Sequence, residues 1–172
     1  MQSVAAGMIV AAIAGQAAAQ EPSIEYQVKA AYLYNFVKFV EWPAAARTGP
    51  LTICVAGRSP FGGTLDDIVR GESMDGRRVA VRTIQAPQAD CHVVFVPQGV
   101  GAGEYLRAAR SAPVLTVGED PDFIAEGGII NFVRDAGMVR FEIDQEAARR
   151  ARLQISSRLL RLAREPERRT RE

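Results

Sequence analysis

Three short apolar runs constrain the fold of this chain more than any other feature. They are LTICVA (51–56), CHVVFV (91–96) and VLTV (114–117), and each has a proline or glycine next to at least one end. Short apolar runs bounded by turn-forming residues are typical of strands that are buried on both faces. Residues 64–70 and 103–110, which lie between the runs, have helical patterns. Buried strands that alternate with helices predict an α/β domain with a mostly parallel sheet.

The remaining strand patterns predict that the sheet is mixed. Residues 78–83 alternate charged and apolar side chains, which indicates a more exposed strand at the edge of the sheet. Residues 129–133 and 138–143 are predicted to be strands, and the turn chemistry of residues 134–137 joins them as a hairpin. We therefore predict a single-domain three-layer α/β/α sandwich whose mostly parallel mixed sheet ends in an antiparallel hairpin.

The predicted domain begins and ends with a helical segment of the chain. Residues 24–42 form a predicted helix that stops before Pro43, because the residue preceding a proline disfavours the α conformation. Asp120 is a plausible cap for a short helix over residues 120–125. Asp144 is predicted to cap a final helical segment over residues 145–163. Ser156 and Ser157 interrupt its pattern, and the alternative is that they start a second, separate helix.

The first nineteen residues have the pattern of a secretory signal peptide. An uncharged apolar run over residues 4–14 precedes the small residues Ala17-Ala18-Ala19, although no lysine or arginine comes before it. This run is shorter than the roughly 20 residues that a membrane-spanning helix needs. The alternative is an alanine-rich tail. We expect cleavage near Ala19, one domain over residues 20–163, and a charged, frayed tail over residues 164–172.

The charged and nucleophilic residues do not form a recognisable catalytic or metal-binding pattern. The net charge of +1 gives no general attraction to nucleic acid. His92 is the only histidine, the GxSxG motif of serine hydrolases is missing, and a zinc site needs three or four ligands that converge. Acidic groups such as Asp66-Asp67 fit solvated helix faces and caps. The sequence therefore predicts no catalytic residue, no metal and no cofactor.

The loop that follows the first buried strand is a candidate ligand crevice. In open α/β sheets, ligands bind beyond the carboxyl ends of the strands, and Gly57, Arg58 and Ser59 are predicted to lie there. The loop lacks the GK[ST] ending of a phosphate-binding loop. The alternative interpretation is a tight glycine-rich turn.

Cys54 and Cys91 each lie on a predicted buried strand. The first and third strands along a doubly wound sheet are neighbours, which allows Cα atoms on them to approach within the roughly 4.4–6.8 Å of a disulfide. These residues alone leave two interpretations open. They are a disulfide, or two buried thiols that pack as small apolar side chains.

Aromatic residues are concentrated on the first predicted helix, whose apolar residues cover most of its circumference. A helix that is apolar nearly all round is usually buried on two sides. One side would be the core, and the other would be a second subunit or a partner. The candidate interface residues are Tyr34, Phe39 and Trp42, with Leu159 on the final helix. The alternative is that all four pack in the core.

Six segments, taken in order, carry a resemblance to a known family. They are YQVKAAYLYNFVKFVEWP (26–43), LTICVAGRSPFG (51–62), CHVVFVP (91–97), VLTVGEDPDFIAEGGIINF (114–132), VRFEID (139–144) and LQISSRLLRLA (153–163). Over residues 26–163 the chain resembles the YfiR-like family of periplasmic proteins. The resemblance implies a three-layer α/β/α sandwich, and it marks Cys54 and Cys91 as the family's cysteine pair, which favours the disulfide.

The resemblance also implies a periplasmic regulator that is not an enzyme. It implies a homodimer that binds and represses the periplasmic domain of an inner-membrane diguanylate cyclase or sensor protein, which keeps cyclic-di-GMP synthesis and biofilm formation low. An outer-membrane lipoprotein that sequesters the regulator is a second implied partner. The alternative function is a periplasmic small-ligand-binding module.

Two features depart from the family's pattern. The second cysteine pair that some relatives carry near the later hairpin is missing. Arg152 occupies the position before L-x-I-S-S that is often glycine in the family. We expect a straighter final helix from this second departure.

Overall fold

The computed structural model of the chain describes residues 22–46 and 48–165, so the predicted signal peptide and residues 166–172 of the predicted tail lie outside it. Its helices and strands follow in chain order: α1 (Ile24–Phe39), β1 (Val40–Glu41), β2 (Leu51–Ala56), α2 (Thr64–Val69), β3 (Ser73–Met74), β4 (Arg77–Ile84), β5 (Val93–Val96), α3 (Gly103–Ala109), β6 (Leu115–Gly118), β7 (Ile130–Asp135), β8 (Met138–Ile143), α4 (Gln145–Arg150), β9 (Gln154–Ile155) and α5 (Ser157–Leu160).

Within the described residues, seven strands form one mixed sheet in the order β3-β4-β2-β5-β6-β7-β8. The five strands from β4 to β7 run parallel, and β3 and β8 are antiparallel at the two edges. Every residue of β2, β5 and β6 is buried, as their continuous apolar runs predict. β3 pairs only with the first residues of β4, so most of β4 forms an edge, as predicted.

Helices cover both faces of this sheet. α1 and α2 pack on one face, where Val93 and Phe95 of β5 join their core. α3 and the loop around Phe123 pack on the other face, against Val94 and Val96 of the same strand. Alternate residues of one strand therefore point into two different cores. This arrangement confirms the predicted α/β/α sandwich and its closing hairpin.

The first helix is shorter than predicted. It ends at Phe39, and the chain continues as β1, in which Val40 pairs with Ile155 of β9. The backbone N–H of Ser156 donates to the carbonyl of Phe39 over 2.9 Å, which satisfies an acceptor at the helix end. The prediction of a helix through Trp42 was wrong because a strand partner at the far end of the chain competes for these residues.

The final helical segment is broken into α4 and α5, with Ser156 as the N-cap of α5, so the alternative of a second helix at the serines is confirmed and the expectation of a straighter helix is wrong. Asp144 is the N-cap of α4, and its side chain accepts from the Ala147 N–H at 2.9 Å, as predicted. It ends where the N–H of Leu153 donates to the Ala148 carbonyl and the N–H of Arg152 to the Arg149 carbonyl. This pair of bonds is the Schellman motif, which places Arg152 in the left-handed region at φ +58°.

Two short segments differ from their predictions. Residues 120–125 form turns instead of the predicted short helix. Asp75 and Gly76 join β3 to β4 with positive φ at both positions, the geometry of a two-residue hairpin turn. The Asp-Gly dipeptide signals such a turn, but β3 has only two residues, too few to show a period.

Candidate functional site

The predicted disulfide is present. Cys54 in β2 is bonded to Cys91, which lies just before β5, with 5.8 Å between their Cα atoms. Both residues are buried in the core between the sheet and α3. The pairing confirms the disulfide and rules out two free thiols in the folded chain.

The structure places Gly57, Arg58 and Ser59 in the loop after β2, where the candidate crevice was predicted. Gly57 adopts φ +68°, and a Cβ there would lie 3.1 Å from the side chain of Val100. The hydroxyl of Ser59 accepts from the backbone of Phe61 at 3.3 Å, and Arg58 is exposed. Val100 fills the space against Gly57, so these contacts favour the tight-turn interpretation. A ligand crevice in this loop stays a prediction.

Three of the four candidate interface residues belong to the core of the monomer. Trp42 and Leu159 are buried, and only 8% of Tyr34 is exposed. The Tyr34 hydroxyl donates to Glu72, and burial followed by this hydrogen bond raises its pKa to about 12. Phe39 is only partly buried, and the guanidinium of Arg158 lies 5.8 Å from its ring centre. Phe39 is therefore the candidate whose side chain can reach a partner.

A polar cavity of about 830 Å³ opens where β5 and β6 end. One wall is the loop after β6, and the other is the hairpin of β7 and β8. The ring of Phe123 anchors the loop by packing closely against Gly118 and Gly128, so closely that a Cβ at either glycine would overlap it. The charged and amide side chains that line the cavity are Glu25, Lys29, Gln98, Glu119, Asp122, Asn131, Arg134, Glu142, Asp144, Gln145 and Arg164.

Lys29 and Glu25 of α1, with Glu119, form what we call the inner wall of the cavity, and only 6% of the surface of Lys29 is exposed. Its ammonium group forms ion pairs with Glu25, at 2.6 Å, and with Glu119. The ammonium also lies 4.7 Å from the ring centre of Tyr26, a favourable cation–π contact. These contacts compensate the desolvation of the buried cation.

Glu119, just after β6, connects α1 and the end of β5 around this lysine. Its Oε1 accepts from the Tyr26 hydroxyl at 2.9 Å and from the backbone N–H of Gln98 at 2.8 Å. Burial and the neighbouring Glu119 raise the pKa of Tyr26 above its ordinary value, so its hydroxyl remains a donor. Hydrogen bonds from Arg134 and then Lys29 hold the pKa of Glu25 below its ordinary value. The network ties α1 to the ends of β5 and β6.

Sequence reasoning missed this cavity, although one signal was visible. Lys29 is a charged residue among mostly apolar neighbours on α1, and it lies within the segment that carries the family resemblance. Its partner Glu119 is 90 positions further along the chain. Only the crossing of α1 over the sheet brings the two together.

Asn131 on β7 reaches the cavity from the opposite wall, with 2% of its surface exposed. Its Nδ2 donates to the backbone carbonyl of Asp120 at 3.0 Å. Among the residues that the structure describes, none donates to its Oδ1. Glu142 is its direct neighbour on β8. Two acceptors therefore lie side by side in this wall.

The fold and the site together define a small disulfide-bonded α/β domain with a polar cavity. Residues 22–46 and 48–165 contain no group of three or more His, Cys, Asp or Glu side chains placed to hold a metal ion. The same residues include no helix with the length and apolar character to cross a membrane.

Residues 26–164 match the family model described as YfiR/HmsC-like, and the chain belongs to that family. No curated protein matches the chain. The match begins at Tyr26, whose hydroxyl donates to Glu119 of the cavity lining, and ends at Arg164, which itself lines the cavity.

Proposed function

We propose that this protein is a periplasmic regulator that binds and represses a membrane-bound signalling protein. Membership of the YfiR/HmsC-like family over residues 26–164 carries the proposal. The proposed partner is the periplasmic domain of a diguanylate cyclase, and binding lowers cyclic-di-GMP synthesis and biofilm formation. The protein acts by contact and performs no reaction of its own. The buried disulfide supports a protein that works in an oxidising compartment.

The proposed contact surface is the side of the molecule where α1 meets α5. Leu162, just after α5, is 60% exposed, and Arg158 and Arg161 flank it on the exposed side. Phe39 lies beneath Arg158. An apolar centre with an arginine rim is typical of protein interfaces. The same surface is available for a homodimer or for an outer-membrane lipoprotein that sequesters the regulator.

The first test is a pull-down of solubilised inner membranes with the purified protein and two variants, Arg158→Glu and Leu162→Glu. Both variants retain the core, so we expect them to remain folded and to capture at least tenfold less cyclase than the wild type does. The matched control is Arg107→Glu, on the exposed side of α3 at the opposite face of the sheet. Equal capture by all four proteins would remove the α1–α5 surface from the proposal.

The second test addresses the function itself. Deletion of the gene should raise cellular cyclic-di-GMP, and expression of the wild-type protein should lower it again. Expression of Leu162→Glu should fail to do so. An unchanged cyclic-di-GMP level after deletion would contradict the proposed function.

A further inference from the structure

A second cavity, of about 620 Å³, lies at the opposite end of the sheet, where β2, β5 and β6 begin. Its volume is within the usual range for small-molecule sites. Its walls are mainly apolar, and the residues that form them include Pro43, Ala46, Pro50, Ala112, Pro113 and Val114. Apolar walls of this kind favour the hydrocarbon part of a ligand over a strongly polar one.

One charge in the lining of this second cavity is available to a ligand. Asp90 is already paired with Arg82. His92 is neutral, because burial lowers its pKa and the backbone N–H of Thr52 donates to its Nδ1 at 3.2 Å. Arg152 is exposed, and within the part of the chain that the structure describes its guanidinium has no hydrogen bond or ion pair. The cavity therefore combines apolar walls with an accessible, unpaired cation.

The backbone at Arg152 supports a role for this side chain. Its φ of +58° is in the left-handed region, which is costly for a residue with a Cβ and easily adopted by glycine. Strained backbone of this kind occurs at ligand-binding positions, where the side chain has a task that offsets the strain. The guanidinium of Arg152 holds no other described part of the fold in place, so its task lies outside the fold.

We infer that this second cavity binds a medium-chain aliphatic carboxylate, whose hydrocarbon chain lies against the apolar walls and whose carboxylate pairs with Arg152. A guanidinium presents its N–H donors in a planar fork that matches the two oxygens of a carboxylate. The lining includes none of Phe39, Arg158 and Leu162, so the inference does not depend on the proposed α1–α5 contact surface.

The first test is isothermal titration calorimetry of the purified protein at pH 7 with octanoate, below the concentration at which it forms micelles. Each buried CH₂ group contributes about fourfold in affinity, so octanoate should bind roughly tenfold more tightly than hexanoate. Octylammonium has the same chain and the opposite charge, and it should bind at least tenfold more weakly than octanoate. No measurable binding of octanoate, or equal binding of octanoate and octylammonium, would overturn the inference.

Variants of Arg152 test the contact with the carboxylate. Arg152→Gly should weaken octanoate binding at least tenfold, whereas Arg152→Lys keeps the positive charge and should bind octanoate more tightly than Arg152→Gly does. Glycine relieves the backbone strain, so the loss of binding cannot be attributed to unfolding, and thermal melting checks this. The matched control is Arg149→Ala, an exposed arginine of α4 that does not line the second cavity. If Arg149→Ala weakens binding as much as Arg152→Gly does, general charge attracts the anion and the assigned site is rejected.

A second pair of variants tests where the hydrocarbon chain lies. Ala45 is exposed and lines the cavity, so the indole of Ala45→Trp would occupy the space of the ligand without a change in the core. This variant should bind octanoate at least tenfold more weakly than the wild type. The control is Ala44→Trp, since Ala44 is also exposed but lies outside the lining. Unchanged octanoate binding by Ala45→Trp would place the chain elsewhere and contradict the inference.

Discussion

Lys29 gives α1 a fixed position over the sheet. Its ammonium group joins Glu25 on the same helix to Glu119 after β6. A buried ion pair adds little net stability compared with an apolar pair of the same shape, but the removal of one partner leaves a buried charge at a cost of about 3–5 kcal/mol. The pair is therefore better understood as a constraint on where the helix lies. It holds the inner wall of the cavity in place.

The depressed pKa of Glu25 predicts an acid-sensitive fold. Arg134 and Lys29 favour the ionised form in the folded state, so the folded-state pKa lies below the ordinary value of 4.5. The resulting stability is present above that ordinary value and is lost as the pH falls through the folded-state pKa. In urea denaturation across this pH range, Glu25→Gln should show a shallower loss of unfolding free energy than the wild type.

Glu146 provides the comparison, because its pKa is also lowered but its carboxylate is exposed beside Arg149. Solvent screens such surface pairs, so Glu146→Gln should change the acid slope less than Glu25→Gln does. A larger effect at Glu146 would show that the buried network is not the source of the acid sensitivity.

Arg152 is a position at which a single substitution should stabilise the protein. A side chain in the left-handed region costs about 1–2 kcal/mol, and glycine avoids this cost while it adds some entropy to the unfolded chain. Arg152→Gly should therefore raise the unfolding free energy by about 0.5–1 kcal/mol, measured by chemical denaturation.

The control for this substitution is Arg149→Gly, three positions earlier within α4. There glycine replaces a residue with helical geometry and should lower stability by about 0.5–1 kcal/mol. The opposite signs separate backbone strain from the loss of an arginine side chain. A decrease in stability for both variants would contradict the strain at Arg152.

At the scale of elements, the disulfide joins two neighbouring parallel strands that are already packed together. Cys54 lies within β2, and Cys91 lies two residues before β5. Between them the chain contributes α2 and β4 to the fold. The bond therefore closes one complete crossover unit of the sheet. Its main thermodynamic effect is expected on the unfolded chain.

Loss of this bond should lower stability substantially without changing the fold. The two cysteines are 37 positions apart, a separation for which the chain-entropy model gives about 4 kcal/mol. The double variant Cys54→Ala/Cys91→Ala should unfold at correspondingly lower denaturant concentration and retain its circular dichroism spectrum. Wild-type protein that is reduced in denaturant provides the comparison. A difference below about 1 kcal/mol would show that the bond does not constrain the unfolded chain as expected.

At the scale of the whole molecule, the strands and helices predicted correctly were those whose own residues carry a clear apolar pattern. β2 is apolar at every position except Thr52 because it is covered on both faces. β5 is covered in the same way, and all four of its residues are apolar. The short strands β1, β3 and β9 were missed, since two residues carry no period and their pairing is decided by distant partners. The cavity was missed for the same reason, because Lys29 and Asn131 approach it from different layers of the fold.

The pairing of Val40 with Ile155 has a consequence for the order in which the chain folds during synthesis. Synthesis proceeds from the N-terminus, so α1 emerges from the ribosome long before the strand that fastens its end. A nascent chain cannot complete this fold until residues 154 and 155 of β9 have left the exit tunnel. The end of α1 therefore stays without its strand partner through most of the synthesis of the domain.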